Sequence, residues 1–407
     1  MTETRFIQIH WLTSYHASLL NRDDAGLAKR IPFGDTVRTR ISSQCLKRHW
    51  RTANDTYALK TALGDDGAEA MSVRSRRSFE KYVFRPLVDE DKIPEDVASE
   101  ITASIMKIVL GESEKAKATK RGQKEEKERQ TLETNQVTVL GRRELEFIRT
   151  QARECAKEFL KGKTKNDDEE VEKIIKKHFD REALENLGAL AAGLDAAMFG
   201  RMVTSDYLAR VDAAIHVAHA FTVHAEQTEG DYFSAVDDLK SGAAELGSGH
   251  INTTELTTGL FYGYAVIDCP LLVGNLGDDR DLAAELTRRM VHLIATVSPG
   301  AKLGSTAPYS YAHLMLIEAG NSQPRTLANA FLSAVNPRPD LLSNTYNALA
   351  RHLGELDRAY GRCEPRRALV LGPKEHLESV LEPGEFSASL GDLADWASSL
   401  FNAGGAS

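Results

Sequence analysis

Paired cysteines, long apolar runs and an excess of positive charge are all missing from this chain. Its four cysteines, Cys45, Cys155, Cys269 and Cys363, are scattered with no C-x-x-C spacing. That argues against a disulfide framework and a cysteine-based zinc site, and suits a reducing compartment. No apolar stretch approaches the ~20 residues that span a bilayer. Gln8 and His10 interrupt the N-terminal MTETRFIQIHWL, so it lacks the apolar stretch of a signal peptide. The expectation is a cytoplasmic protein with no membrane partner. Acidic residues outnumber basic ones by 59 to 51, a net charge of −8. Such a protein does not coat nucleic acid indiscriminately, although a local basic surface remains compatible with that balance. Familiar catalytic signatures are absent too. SPGAKLGS (298–305) lacks phosphate-loop spacing, and there is no H-E-x-x-H, nucleophile elbow or dinucleotide fingerprint. His216 and His224 face one way on a strand and His219 the other, which argues against a shared metal.

What the 407 residues do contain is enough apolar material, 42%, for one large core or two modest ones. RFIQIHWL (5–12) alternates as a strand, with Ile7, Ile9 and Trp11 on one face and Gln8 and His10 on the other. A charged loop follows. Ser42 or Ser43 can cap a helix predicted over 42–62. Residues 68–200 read as almost wholly helical. Within them 112–130 holds seven basic and five acidic residues and almost no apolar ones, which predicts an exposed excursion. Strands are predicted at 216–225, 260–268 and 309–318, a helix at 278–297 and a short strand at 367–371. Without the helical block the order is β-α-β-β-α-β, the split βαβ arrangement shared by ferredoxin-like folds and RNA recognition modules.

Four groups of residues could carry chemistry. Residues 1–51 hold nine basic and four acidic side chains. Lys47 and Arg51 lie four apart on the predicted helix, and Ser42 and Gln44 sit at its start, where free N–H groups favour an anion. A solvated helix face fits the same pattern. Met202, after an Ala-rich helix, reads as core. Tyr232 and Phe233 lie within a 34-residue connection, where adjacent aromatics suit either base stacking or a loop anchor. Neighbouring Asp237 and Asp238 read as a cap or solvated pair in preference to a metal site. Lys173, Lys176 and Lys177 share one helix face and could track a nucleic-acid backbone or simply solvate it.

The motifs NRDD (21–24), RISSQCLKRHWR (40–51), MFGRMV (198–203), VAHAFTVH (217–224), DYFSAVDDL (231–239), GSGHIN (247–252) and SPGAK (298–302) occur in that order. Together they resemble the CasC-type backbone subunit of the type I-E CRISPR Cascade surveillance complex, in the repeat-associated mysterious protein superfamily. The resemblance covers about residues 1–318. It implies an α+β hand with a ferredoxin-like, RRM-like palm (1–67, 201–225 and 259–407, the last including a C-terminal helical region). A large helical finger insertion (68–200) and a long thumb hairpin (226–258) complete it. It further implies a non-catalytic, cofactor-free and metal-free subunit. Copies would stack as a helical filament on a CRISPR RNA and kink it at regular intervals. Target DNA, other Cascade subunits and a recruited helicase-nuclease would be partners. The guide-binding residues it implies are Arg22, Lys29, Ser42, Gln44, Lys47, Arg48, Arg51, Arg201, Met202, Tyr232, Phe233, Ser248, His250 and Lys302. Lys173, Lys176 and Lys177 would face target DNA. Position 232 is Tyr where the family often has Trp. The alternative is a type III-like subunit cleaving target RNA through Asp231, Asp237 or Asp238. A self-contained RNA-processing enzyme would need a general base, for which His10 and His250 are the candidates.

Overall fold

The computed structural model describes residues 4–64, 67, 69–110, 132–161, 168–179, 187–202, 208, 210–235, 250–362 and 365–402. Side chains at 168–170, 172, 176, 189, 233–235 and 250–252 fall outside that description. The chain begins with β1 (Phe6–Ser18), β2 (Arg30–Phe33), β3 (Thr36–Ile41) and α1 (Ser43–Thr52). Next come β4 (Ser72–Ser75), α2 (Glu95–Leu110), β5 (Thr138–Gly141), α3 (Arg142–Lys161) and α4 (Asp168–His178). Then follow β6 (Ile215–Val217), β7 (Ala220–Thr222), β8 (Thr228–Ala235), β9 (His250–Asp268) and α5 (Arg280–Thr296). The last elements are β10 (Leu314–Gly320), α6 (Leu341–Tyr360), β11 (Arg366–Val370) and α7 (Leu390–Ser399).

Two compact units form. The first comprises residues 1–58, 216–269 and 280–407. Its sheet runs β11-β10-β1-β9-β7-β3-β2, with β6 and β8 also on β9. Within it β10-β1-β9-β7 are antiparallel neighbours, α1 separates β1 from β7 in sequence, and α5 separates β9 from β10. This is the split βαβ core expected from the element order, in a mixed α+β fold.

Strand β1 is buried on both faces from Phe6 to Thr13. Trp11 meets Trp50 of α1 edge-on at 6.0 Å between centroids. Its cross-strand neighbour must be glycine, because a Cβ on Gly263 would fall 2.1 Å from the Trp11 ring. On the other face Leu12, Leu314, Leu316 and Tyr262 pack against Tyr346, Leu349 and Leu353 of α6.

The polar residues of that face, Gln8 and His10, are also buried, which alternation alone does not require. His10 Nδ1 lies 2.9 Å from Tyr262 Oη, and its Nε2 is 3.4 Å from Glu318 Oε2. Glu318 accepts from Arg366 (2.9 and 2.6 Å) and Arg325 (2.9 and 3.3 Å), while Asp357 accepts from Arg366 at 2.8 and 3.0 Å. Burial alone would raise the Glu318 carboxyl, but the His10 contact and the two guanidinium groups outweigh it and hold it at about 2. Burial keeps His10 below its ordinary value. His10 therefore belongs to a sealed structural network and does not reach solvent as a general base.

The second unit comprises residues 59–215 and 270–279. Ile101, Ile105, Ile148, Cys155, Phe159, Ile175 and Phe179 form its core across α2, α3 and α4. Residues 68–200, expected to be helical throughout, also carry an antiparallel pair, β4 with β5. Its strands are only four residues long and 62 residues apart from end to start, so neither shows a periodicity of its own.

Other boundaries differ as well. Helix α1 stops at Thr52 instead of continuing to 62, because Asp55 accepts the Tyr57 N–H on its side chain and the Ala58 N–H on its carbonyl, forming a turn. The hairpin β2–β3 occupies a stretch read as loop. Its turn uses Gly34 at φ +64, where a Cβ would collide with the Leu332 carbonyl oxygen at 1.7 Å. The predicted strand 216–225 is two short strands, and β10 starts at Leu314 instead of 309. Residues 228–235 pair with 250–257 as an antiparallel ribbon.

Replacing Arg366 with Met should cost about 3 kcal/mol in chemical denaturation, because Glu318 and Asp357 would lose a buried counter-ion. Wild-type stability in that variant would contradict the account. The folded Glu318 pKa lies below its ordinary 4.5. Its stabilising contribution is thus complete above pH 4.5 and disappears as pH falls toward 2.

Candidate functional site

The basic segment is organised at the start of α1. Ser42 caps the helix, its Oγ accepting the Cys45 N–H at 3.3 Å. The Ser42 N–H donates to Asn21 Oδ1 at 2.9 Å. Asn21 begins NRDD, whose own turn is closed by Asp23: its Oδ1 accepts the Ala25 and Leu27 N–H groups, each at 2.9 Å. The Lys29 N–H returns to the Asn21 carbonyl at 2.9 Å. NRDD and RISSQ, joined by residues 21 positions apart in sequence, are therefore one hydrogen-bonded corner. The Ser43 N–H donates to His219 Nδ1 at 3.0 Å. That nitrogen must be unprotonated, and burial together with the Arg40 and Lys29 charges keeps the His219 pKa low.

SPGAK joins the same corner. Ala301 N–H donates to the Leu19 carbonyl at 2.8 Å, and Gly300 N–H to His49 Nε2 at 3.3 Å. His49 Nδ1 faces the Cys45 carbonyl at 2.8 Å, which places the ring proton there. Lys302 Nζ donates to Thr254 Oγ1 on β9 at 2.6 Å. The base of the β8–β9 ribbon is held by Arg30, which bonds Glu226 at 2.7 Å and also Glu255. Burial pushes the Cys45 thiol up to about 11 against the pull of Lys29 and Arg48. The thiol is no nucleophile at neutral pH, and both cations flank it.

Gln44, Lys47, Arg48 and Arg51 lie on the face of α1 opposite buried Leu46 and Trp50. Arg22, Gln44 and Arg48 are exposed, whereas Lys29, Lys47, Arg51 and Lys302 are half-buried. Main-chain contacts thus gather Arg22, Lys29, the α1 set, Lys302 and the ribbon into one region of the first unit. Tyr232 is on that ribbon, opposite Thr253 and 63% exposed. Phe233 and His250 pair there through Asn252 and Ala235. Their side chains, with all of Ser248, Asp237 and Asp238, lie outside the described residues.

Two of the implied residues have buried side chains. Arg201 is 2% exposed, and its Nη1 is 2.6 Å from Glu144, so its guanidinium is a structural ion. Ser42 is buried, and its Oγ accepts in the cap that shapes the helix start. Met202 reverses the core expectation. Gly200, at φ +80, ends the preceding helix; Arg201 pairs with Val211 through both main-chain groups; Met202 is left 93% exposed. These three residues belong to the second unit, as do the lysines of α4. Lys173 is exposed, and Lys177 Nζ meets Glu158 at 2.7 Å. The Lys176 side chain lies outside the described residues. Among the described residues no group of three metal-ligating side chains gathers, and no helix is long and apolar enough to cross a membrane.

Asn21, His49 and His219 organise this surface, yet spacing and charge did not single them out as site residues. Each acts by hydrogen bonding a distant main-chain group, which leaves no local pattern.

The profile of CT1975-like proteins matches residues 7–396. The chain belongs to the CT1975-like Cas family. A chain from a solved "CRISPR RNA-guided surveillance complex, pre-nicking" matches this CT1975-like protein with TM-score 0.73 and 25% identity, over 97% of this chain and 99% of that one. A second, from a "CRISPR RNA-guided surveillance complex", matches with TM-score 0.57 and 20% identity over 97% and 98%. That second likeness concerns the fold alone. Comparison with curated protein sequences gives no match.

Replacing Asn21 with Ala should destabilise the protein by about 1 kcal/mol, the net value of one hydrogen bond, measured by urea unfolding. Titration of His219 by NMR should give a pKa below 6.5. A value at or above 6.5 would contradict the acceptor role assigned to Nδ1.

Proposed function

We propose that this CT1975-like protein is the non-catalytic backbone subunit of a type I-E CRISPR RNA-guided surveillance complex. It grips the guide by its phosphates and leaves the bases to pair with target DNA. The observation that carries this reading is the corner at α1, where hydrogen bonds tie together NRDD, the helix start and SPGAK, all of which carry basic side chains. Phosphate contacts fix position without reading sequence, which is what a subunit serving many guides requires.

The likeness to surveillance-complex chains over nearly the whole length supports the same reading. Successive copies stack head to tail on the guide, a heterologous arrangement that yields a filament when it does not close. In this reading residues 226–258 are the thumb, with Tyr232 and Phe233 at the kink and exposed Met202 wedging against the displaced nucleotide. Residues 68–200 are the finger, whose Lys173, Lys176 and Lys177 approach target DNA. Other Cascade subunits complete the particle, and a recruited helicase-nuclease cuts the DNA. The subunit works in the cytoplasm and uses no cofactor.

Replacing Lys47 and Arg51 with Ala should weaken RNA retention for every guide sequence. The slope of log affinity against log salt should become shallower by about 1.4, at roughly 0.7 per lost single-strand phosphate contact. An unchanged slope would remove both residues from the interface.

A further inference from the structure

Beyond the SPGAK turn the chain runs along the first unit from Ala307 to His313 before entering β10. Burial alternates strictly here: Pro308 and Ala312 are buried and Ser310 half-buried, while Ala307, Tyr309 and Tyr311 are exposed. The inward positions are anchored one by one. Ser310 N–H donates to Ser298 Oγ at 3.0 Å, and that hydroxyl donates back to the Ser310 carbonyl at 3.1 Å. Ala312 N–H donates to the Ala295 carbonyl at 2.8 Å, and His313 N–H to the Leu12 carbonyl at 2.7 Å. Tyr309 and Tyr311 are therefore held two apart on one side of a fixed segment, 74% and 69% exposed.

The clip that holds them is the first residue of SPGAK, so the two rings are fixed to the loop that places Gly300 on α1 and Lys302 on the ribbon. A phenol ring costs little conformational entropy to immobilise and offers a flat apolar face with a polar tip. Two such rings beside a cationic corner match an unpaired base and its ribose better than they match water. The segment that carries the rings, STAPYSYAH (305–313), contains no carboxylate of its own.

We propose that Tyr309 and Tyr311 form a base-stacking site for single-stranded RNA, distinct from the aromatics of the thumb. The inference rests on the RNA-binding function proposed above and adds a contact to bases where the α1 cations touch phosphates. Stacking on aromatics is blind to sequence, since every base has a π face.

The test uses the full-length chain, a uridine oligomer of fixed length and an abasic oligomer of the same length, at one salt concentration. The double substitution Tyr309→Ala and Tyr311→Ala should weaken binding of the uridine oligomer about tenfold or more and leave the abasic oligomer unaffected. Phe at both positions should restore most of the loss. Equal affinity of wild type and the Ala variant for the uridine oligomer would overturn the stacking site. So would an equal loss on both oligomers, which would mark a general disturbance of the loop. If RNA affinity holds while self-association falls, the tyrosines form a protein contact and the proposal fails. Failure of the underlying reading looks different, since the wild-type chain would then bind neither oligomer.

Discussion

The 2.9 Å bond from the Ser42 N–H to Asn21 Oδ1 is the contact on which the candidate interface depends. Two chain segments of high charge density meet there, beside the buried Leu20, Ala28 and Ile41. The bond adds to the Lys29 N–H to Asn21 carbonyl and Arg40 N–H to Lys29 carbonyl bonds, which bring the NRDD turn and Lys29 beside the strand that leads into α1. Two further ties to α1 have the same character: Ser43 to His219, and Gly300 to His49. Each is a main-chain donor meeting one side-chain acceptor, which fixes the backbone that carries the cations.

That corner rests on a sheet with little freedom. Strand β1 is covered on both faces, and the polar residues on one face are enclosed by Glu318, Arg366 and Asp357. A buried ion-paired network of this kind ties β1, β10, β11 and α6 together. Phosphate recognition then needs only cations displayed at a fixed height above it. Stacking rings add affinity without sequence preference.

Much of this was legible in the amino-acid order. The β-α-β-β-α-β plan follows from alternation in 5–12 and from the two amphipathic helices, because both signals are local. The hairpin β2–β3 and the pair β4–β5 were not legible. Their strands are four to six residues long, too short to show a period, and β4 and β5 pair across a long intervening segment. The burial of Arg201 was not legible either, because a cation in a motif does not disclose that Glu144, 57 positions earlier, pairs with it. Met202 shows the converse. Its exposure comes from Gly200 and the Arg201–Val211 pairing, neither of which hydrophobicity reports.

The most direct test is to express the chain with its genomic neighbours, purify it through a tag and sequence the RNA that stays bound. A subunit that holds a guide by its phosphates will carry short RNAs of uniform length with repeat-derived ends and unrelated internal sequences. RNA-free protein, or random cellular fragments, would contradict the account and reduce the α1 corner to a solvated basic face.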